Sequence, residues 1–158
     1  AVPALAAPLA MGSLVAFLAN LVTLPLVRRT LVFTVPLRAA TSELLEDRTF
    51  AIGGAWGLRG ETVRKLHHAL MEIGDLLAGR GLAEMTVTAT QQEETVVLTV
   101  AFAGPALPPP ARRPRIEDIE AGGGALEAMS LWLALREASR HATRSTPAGQ
   151  ELRIEFLD

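Results

Sequence analysis

The chain has 158 residues, with 15 basic and 17 acidic side chains and a net charge near −2. This balance creates no overall positive field, so we expect no nucleic acid among its partners. The absence of cysteine excludes disulfides, thiolate metal ligands and cysteine nucleophiles. Residues 1–27 carry no charge, and all the charged side chains follow them. We therefore predict two different parts, 1–29 and 30–158.

Residues 7–27 form a continuous apolar segment that is long enough to cross a bilayer. As a helix, the 21 residues would extend about 31 Å, which matches the hydrocarbon thickness of a membrane. Arg28 and Arg29 follow immediately, and basic residues beside a membrane helix favour the cytoplasmic side. We predict a transmembrane helix that contacts membrane lipid through residues 7–27, with the remainder of the chain in the cytoplasm.

Two other interpretations of this apolar segment stay open. A secretory signal peptide is one, although residues 1–6 contain no Lys or Arg to form its basic region. A buried helix of a soluble protein is the other, although such a helix usually shows a polar stripe.

The charged part begins with a strand and two helices. The β-branched and apolar run Leu31–Val35 predicts an edge strand that ends at Pro36. A helix is predicted from Thr41 to Phe50, followed by a loop at Gly53-Gly54. The clearest helix starts at Gly60 or Glu61 and ends at Gly79. Its apolar residues recur every three or four positions: Val63, Leu66, Leu70, Ile73, Leu76 and Leu77.

The second half alternates strands with a proline-rich connection. Residues 85–91 and 95–102 alternate as a two-stranded hairpin, and residues 106–114 hold four of the ten prolines, which predicts an irregular linker. A helix is predicted over 125–140, with strands over 143–146 and 151–157. The core candidates of that helix are Leu126, Met129, Leu133 and Leu135. The fold class is α+β: a two-layer sandwich with a mixed sheet and helices on one face.

The apolar segment resembles the last transmembrane helix of bacterial xanthine/uracil permeases, which are nucleobase–cation symporters. The resemblance lies in Ala7-Pro8-Leu9-Ala10-Met11-Gly12-Ser13-Leu14-Val15-Ala16 and in Leu18-Ala19-Asn20-Leu21. It implies that the chain is the C-terminal part of a nucleobase transporter in the bacterial inner membrane. The residues that bind the nucleobase would then lie outside this sequence.

Residues 31–158 resemble the ATP-binding domain of the GHKL class, which sensor histidine kinases and anti-sigma-factor kinases share. The element order carries the resemblance, together with the run from Ala69 to Gly81. In that alignment Glu72 occupies the general-base position of the main helix. Leu76 replaces the Asn that holds magnesium, and Asp75 lies one residue, about 100° of helix rotation, away from it.

The second motif of the class, Asp-x-Gly-x-Gly, is also altered. Gly104 persists, but Phe102 stands at the Asp that selects adenine and Ala106 at the second glycine. Gly123 and Gly124 still offer backbone N–H groups at a helix start. The resemblance thus implies a degenerate nucleotide pocket formed by five residues: Glu72, Asp75, Gly104, Gly123 and Gly124.

We expect no catalytic residue, no metal and no cofactor, because leucine offers magnesium no oxygen ligand. The adjacent His67 and His68 point about 100° apart on a helix and cannot chelate one ion together. The chain is therefore predicted not to be an enzyme, but a regulatory or assembly module that binds another copy of itself or a cytoplasmic protein. The exposed candidates for these contacts are the basic run Arg112–Arg115 and the strand Leu31–Val35.

Two alternatives remain. One is an ATP-binding regulatory protein of the anti-sigma-factor or histidine-kinase type. The other is a soluble enzyme in which the N-terminal helix is buried.

Overall fold

The computed structural model describes residues 28–38 and 41–158. Within them the chain forms five strands and four helices. In chain order these are β1 (Arg29–Pro36), α1 (Thr41–Trp56), α2 (Gly60–Gly79), β2 (Glu84–Gln92), β3 (Thr95–Phe102), α3 (Ile116–Glu120), α4 (Ala125–Leu135), β4 (Arg140–Thr146) and β5 (Gly149–Leu157). The α+β class is confirmed, with the order of strands and main helices that the sequence predicts.

The sheet is antiparallel throughout, so the prediction of a mixed sheet is wrong. Its strand order is β1-β2-β3-β5-β4, and each neighbouring pair runs antiparallel. The connection through α3 and α4 carries the chain to the sheet edge opposite β1. There β4 runs in the same direction as β3. The hairpin then inserts β5 between them. Because β5 separates the two parallel strands, no parallel pair forms.

One face of this sheet packs against the helices and forms the core. Strand β3 alternates strictly, with Val96, Leu98, Val100 and Phe102 buried and the residues between them half-buried. Buried residues of the two neighbouring strands lie opposite them. Leu98, for example, pairs with Ala89 of β2 and with Ile154 of β5. This alternation explains how one strand supplies both the core face and the partly solvated face.

Helix α2 follows its predicted apolar stripe closely. All six residues of the predicted stripe are buried: Val63, Leu66, Leu70, Ile73, Leu76 and Leu77. Helix α1, in contrast, continues through Gly53-Gly54 to Trp56, where a loop was predicted. Gly53 is buried against Val63 of α2, and the missing side chain allows the two helices to approach closely. The glycine therefore serves helix packing here and does not end the helix.

The predicted helix over 125–140 is too long. Helix α4 ends at Leu135, and the backbone N–H and the hydroxyl of Ser139 both donate to the carbonyl oxygen of Glu155, at 2.8 and 3.0 Å. These bonds already tie the chain to β5, so β4 starts at Arg140. Leu126, a predicted core residue, is 68% exposed, whereas Leu135 is buried.

The proline-rich stretch over 106–114 forms neither helix nor strand, as predicted. The short helix α3 that follows it was not predicted. Asp118 fixes its start, because the Asp118 carboxylate accepts the backbone N–H of Arg115 at 3.0 Å.

No helix in residues 28–38 and 41–158 has the length and apolar character needed to cross a membrane. The predicted transmembrane segment, residues 7–27, lies outside the described residues.

Candidate functional site

A small cleft lies between α2 and α4, and two of the five residues of the predicted nucleotide pocket border it. Its volume is about 230 Å³. Its wall is mostly apolar, with Leu76 from α2, Leu107 from the linker and Leu131 from α4. Gly123 and Gly124 border it at the start of α4. The cleft thus lies between the end of α2 and the glycine loop that precedes α4.

Three of the five predicted pocket residues do not line this cleft. Glu72 lies one turn before Leu76 on α2 and is half-buried, and Asp75 is exposed to solvent. A Cβ added at Gly104 would lie 3.3 Å from a methyl carbon of Leu82, so this glycine packs against Leu82. The structure therefore brings Gly123 and Gly124 together with Leu76, but not with the predicted acidic residues.

The two residues that stand at the metal and adenine positions of the predicted resemblance are both buried. Leu76 and Phe102 belong to the same hydrophobic core, and neither offers a polar atom. A side chain buried for its apolar surface cannot coordinate a cation or accept a hydrogen bond from adenine. Within the described part of the chain, no group of three or more His, Asp or Glu residues could hold a metal ion.

Arg80 closes one side of the cleft, and the sequence analysis did not identify it. Its Nε and Nη2 atoms donate to the two carboxylate oxygens of Glu127, at 3.1 and 2.8 Å. Its Nη1 donates to the carbonyl oxygen of Pro105 at 3.1 Å and lies 3.4 Å from that of Ala106. One guanidinium therefore joins the end of α2, the linker and the first turn of α4.

The charges of this pair stabilise each other. The hydrogen bond from Arg80 lowers the pKa of Glu127 from its ordinary value, and the bond to Glu127 raises the pKa of Arg80. Glu127 also lies in the first turn of α4, where the helix dipole favours a negative charge. The only signal in the sequence was a basic residue at the end of one helix and an acidic residue at the start of another.

The glycine loop before α4 lies at a helix start but has an acidic neighbour. Gly122, Gly123 and Gly124 all have positive φ angles, of 81°, 73° and 83°, which favour glycine over other residues. The carboxylate of Glu127 is three residues further on and borders the same cleft. A phosphate at this helix start would meet that negative charge, so the site is poorly suited to a nucleotide.

The basic run Arg112–Arg115 was predicted as an exposed surface for protein contacts, and one of its side chains contacts α4. The guanidinium carbon of Arg113 lies 5.4 Å from the ring centroid of Trp132 on α4, within the range of a cation–π interaction. Leu107, earlier in the linker, is buried. Both contacts attach the linker to the side of α4.

No protein-family model matches the chain, and no curated protein shows significant similarity to it.

Proposed function

We propose that residues 30–158 form a non-catalytic regulatory or assembly domain at the C-terminal end of a membrane nucleobase transporter of the xanthine/uracil permease type. The observation that carries the proposal is the state of the cleft between α2 and α4. Leucines line the cleft together with the Arg80–Glu127 ion pair. An active ATPase would present polar ligands at these positions.

The size of the cleft argues against nucleotide binding at this place. Sites for small molecules and cofactors usually have volumes of about 300 Å³ or more, whereas this cleft measures about 230 Å³. Its arginine is already bonded to a carboxylate and to a backbone carbonyl, so no free cationic group of Arg80 is left for phosphate. A scaffold that lacks its original chemistry can still present a surface for protein contacts.

The uncharged segment before β1 supports the transporter part of the proposal. Residues 7–27 match the length of a membrane helix, and Arg28 and Arg29 would lie at its cytoplasmic end. Strand β1 begins at Arg29, so the domain would start directly at the membrane surface.

A calorimetric titration of the full chain with ATP and Mg²⁺ tests the loss of nucleotide binding. We expect no heat of binding at millimolar ATP, because Leu76 and Phe102 replace the metal and adenine ligands. A dissociation constant of micromolar order would contradict the proposal and favour the ATP-binding regulatory protein instead. The variant Leu76→Asn is the matched control for the metal ligand. It restores an oxygen ligand for Mg²⁺ and leaves Phe102 at the adenine position unchanged.

Deletion of the domain tests its role. In the complete open reading frame, residues 30–158 are deleted, so that of β1 only its first residue, Arg29, remains. Uptake of xanthine and uracil and the oligomeric state in membranes are then measured against the intact protein. Altered uptake or assembly supports a regulatory or assembly role. If uptake and assembly are unchanged and cross-linking recovers no partner, the domain is a passive tail and the proposal fails.

A further inference from the structure

The two edges of the sheet differ in how they are protected. Edge strands usually carry charges or prolines that prevent pairing with another chain. The outer strand β4 fits this rule, with Arg140, His141 and Arg144 all exposed. The outer strand β1 carries no charge from Thr30 to Val35 and is eight residues long. Of the two edge strands, therefore, only β1 lacks the charges that would prevent pairing with another chain.

Side-chain exposure along β1 supports this difference. Phe33 and Val35 are buried under the helices, but Leu31 is 37% exposed and Val32 is 60% exposed. Within the residues that the structure describes, β1 pairs only with β2 and no strand lies along its other side. Its outward N–H and C=O groups and two large apolar side chains thus lie open at one edge.

The sequence of β1 is nearly symmetric about Val32, which suits pairing with an identical strand. Consider two copies in antiparallel orientation, related by a two-fold axis at Val32. On the helix-covered face, Leu31 then pairs with the second copy's Phe33. On the other face, Val32 pairs with itself and Thr30 pairs with the second copy's Thr34. Aromatic–aliphatic, Val–Val and Thr–Thr pairs are all favourable across strands, and no like charges are opposed.

The ends of β1 agree with this register. Pro36 has no N–H to donate, and it falls just outside the seven residues that would pair, 29–35. A Thr–Thr pair of the same kind already exists inside the sheet, where the hydroxyls of Thr34 and Thr86 lie 3.5 Å apart. The proposed contact therefore repeats a pairing that this sheet already uses.

The helix beside β1 leaves room for a second copy. The Arg48 guanidinium carbon lies 5.9 Å from the ring centroid of Phe33, and Nη1 of Arg29 donates to the carbonyl oxygen of Ala55 at 3.4 Å. These contacts place the side of α1 that carries Arg48 and Ala55 next to β1. Ala51 and Ala55 on α1 are small and exposed, so Arg48 is the long side chain that a second α1 would meet on this side of the helix.

We propose that β1 is a dimerisation edge, at which two copies of this chain pair β1 with β1 and join their five-stranded sheets into one. The inference rests on the proposed assembly function and names its partner, a second copy. The interface is isologous, because a two-fold axis makes each strand contact the same residues of the other.

Single cysteines test the register directly, since the chain has no native cysteine. The full chain is oxidised in detergent micelles and resolved by non-reducing electrophoresis. Val32→Cys should form a covalent dimer, because paired Cα atoms lie about 4.5–5.5 Å apart, within disulfide range. Thr30→Cys alone should not, because its partner position is Thr34, but Thr30→Cys combined with Thr34→Cys should. Thr143→Cys, at the middle of β4, is the matched control and should stay monomeric.

Light scattering of the same full chain provides the second measurement. Val32→Lys places two lysines opposite each other and should halve the mass of the protein component. Thr143→Lys, an equal change at the other edge, should leave the mass unchanged. Circular dichroism verifies that both variants are folded.

Three outcomes would overturn the proposal: a monomer at about 100 µM unmodified chain, a Val32→Lys variant that remains dimeric, or cross-linking at Thr143 instead of Val32. In the last two cases self-association would survive without β1, and assembly as the domain's role would still stand. The deletion and uptake experiment would decide that role separately.

Discussion

Glu127 on α4 accepts two hydrogen bonds from the guanidinium of Arg80, which lies 47 residues earlier at the end of α2. The bidentate geometry is the strongest that an arginine and a carboxylate can form. The Arg80 side chain is 18% exposed and that of Glu127 is 46% exposed, so water partly screens the pair. The pair nevertheless decides the shape of the cleft, because the same arginine also binds the carbonyl oxygen of Pro105.

Removal of this pair should loosen the cleft. We expect Glu127→Ala to lower the free energy of unfolding by about 1 kcal/mol, between the values for exposed and buried pairs, because Arg80 loses its partner while partly buried. Urea unfolding measures the change. Glu61→Ala is the matched control, because Glu61 pairs with Lys65 on the surface of α2, and it should cause no measurable loss. Equal losses in both variants would show that the position of the pair in the cleft has no effect.

Acid should destabilise the domain through three carboxylates. The hydrogen bond from Arg80 lowers the pKa of Glu127, and that from Arg64 lowers the pKa of Glu137. Burial would raise the pKa of Asp158, but hydrogen bonds from Thr62 and Arg59 outweigh it, so this pKa is also lowered.

Because these pKa values are lower in the folded state, their stabilisation is complete above the ordinary values of 4.5 and 3.8. It is lost as the pH falls through the lowered values. The free energy of unfolding, measured in urea from pH 7 to pH 3, should therefore decline below about pH 4.5. Asp158→Asn should flatten part of this decline, whereas an unchanged slope would exclude Asp158 as a contributor.

Alanine substitutions at two adjacent glycines of α1 should change the free energy of unfolding in opposite directions. A Cβ at Gly53 would overlap Cγ2 of Val63, so Gly53→Ala should lower the free energy of unfolding by about 1–3 kcal/mol through overpacking. A Cβ at Gly54 meets nothing within 4 Å, so Gly54→Ala should raise it by about 0.5–1 kcal/mol through better helix propensity. Thermal or urea unfolding compares them. Gly53→Ala combined with Val63→Ala separates the causes, since removal of the two methyl groups should recover part of the overpacking cost.

The charged part should fold without the apolar segment. Deletion of residues 1–28 leaves the whole of β1 and the described core in place. We expect a soluble product with the far-ultraviolet circular dichroism of a mixed helix and strand protein and cooperative unfolding. An insoluble product without that signal would show that the two parts depend on each other.

Local patterns were enough to predict α2, the β2–β3 hairpin and the irregular linker. In α2 each apolar residue recurs at helical spacing, and in β3 apolar and less apolar residues alternate, so the period alone reveals the buried face. Gly123, Gly124 and Leu76 border the cleft between α2 and α4, whereas Asp75 faces elsewhere because one residue of helix rotation, about 100°, separates it from Leu76. Glu72 lies one turn earlier on α2, about 6 Å along the helix axis, and does not line the cleft.

By itself, the sequence determined the order of strands and main helices, the core face of α2 and the abrupt boundary in charge after residue 27. Only the tertiary structure decided that Gly53 continues a helix, that β5 separates β3 from β4, and that Arg80 binds Glu127. The physical reason is the range of the interactions. Periodicity reports neighbours three or four residues apart, whereas these three features depend on packing or pairing between segments that are distant in sequence.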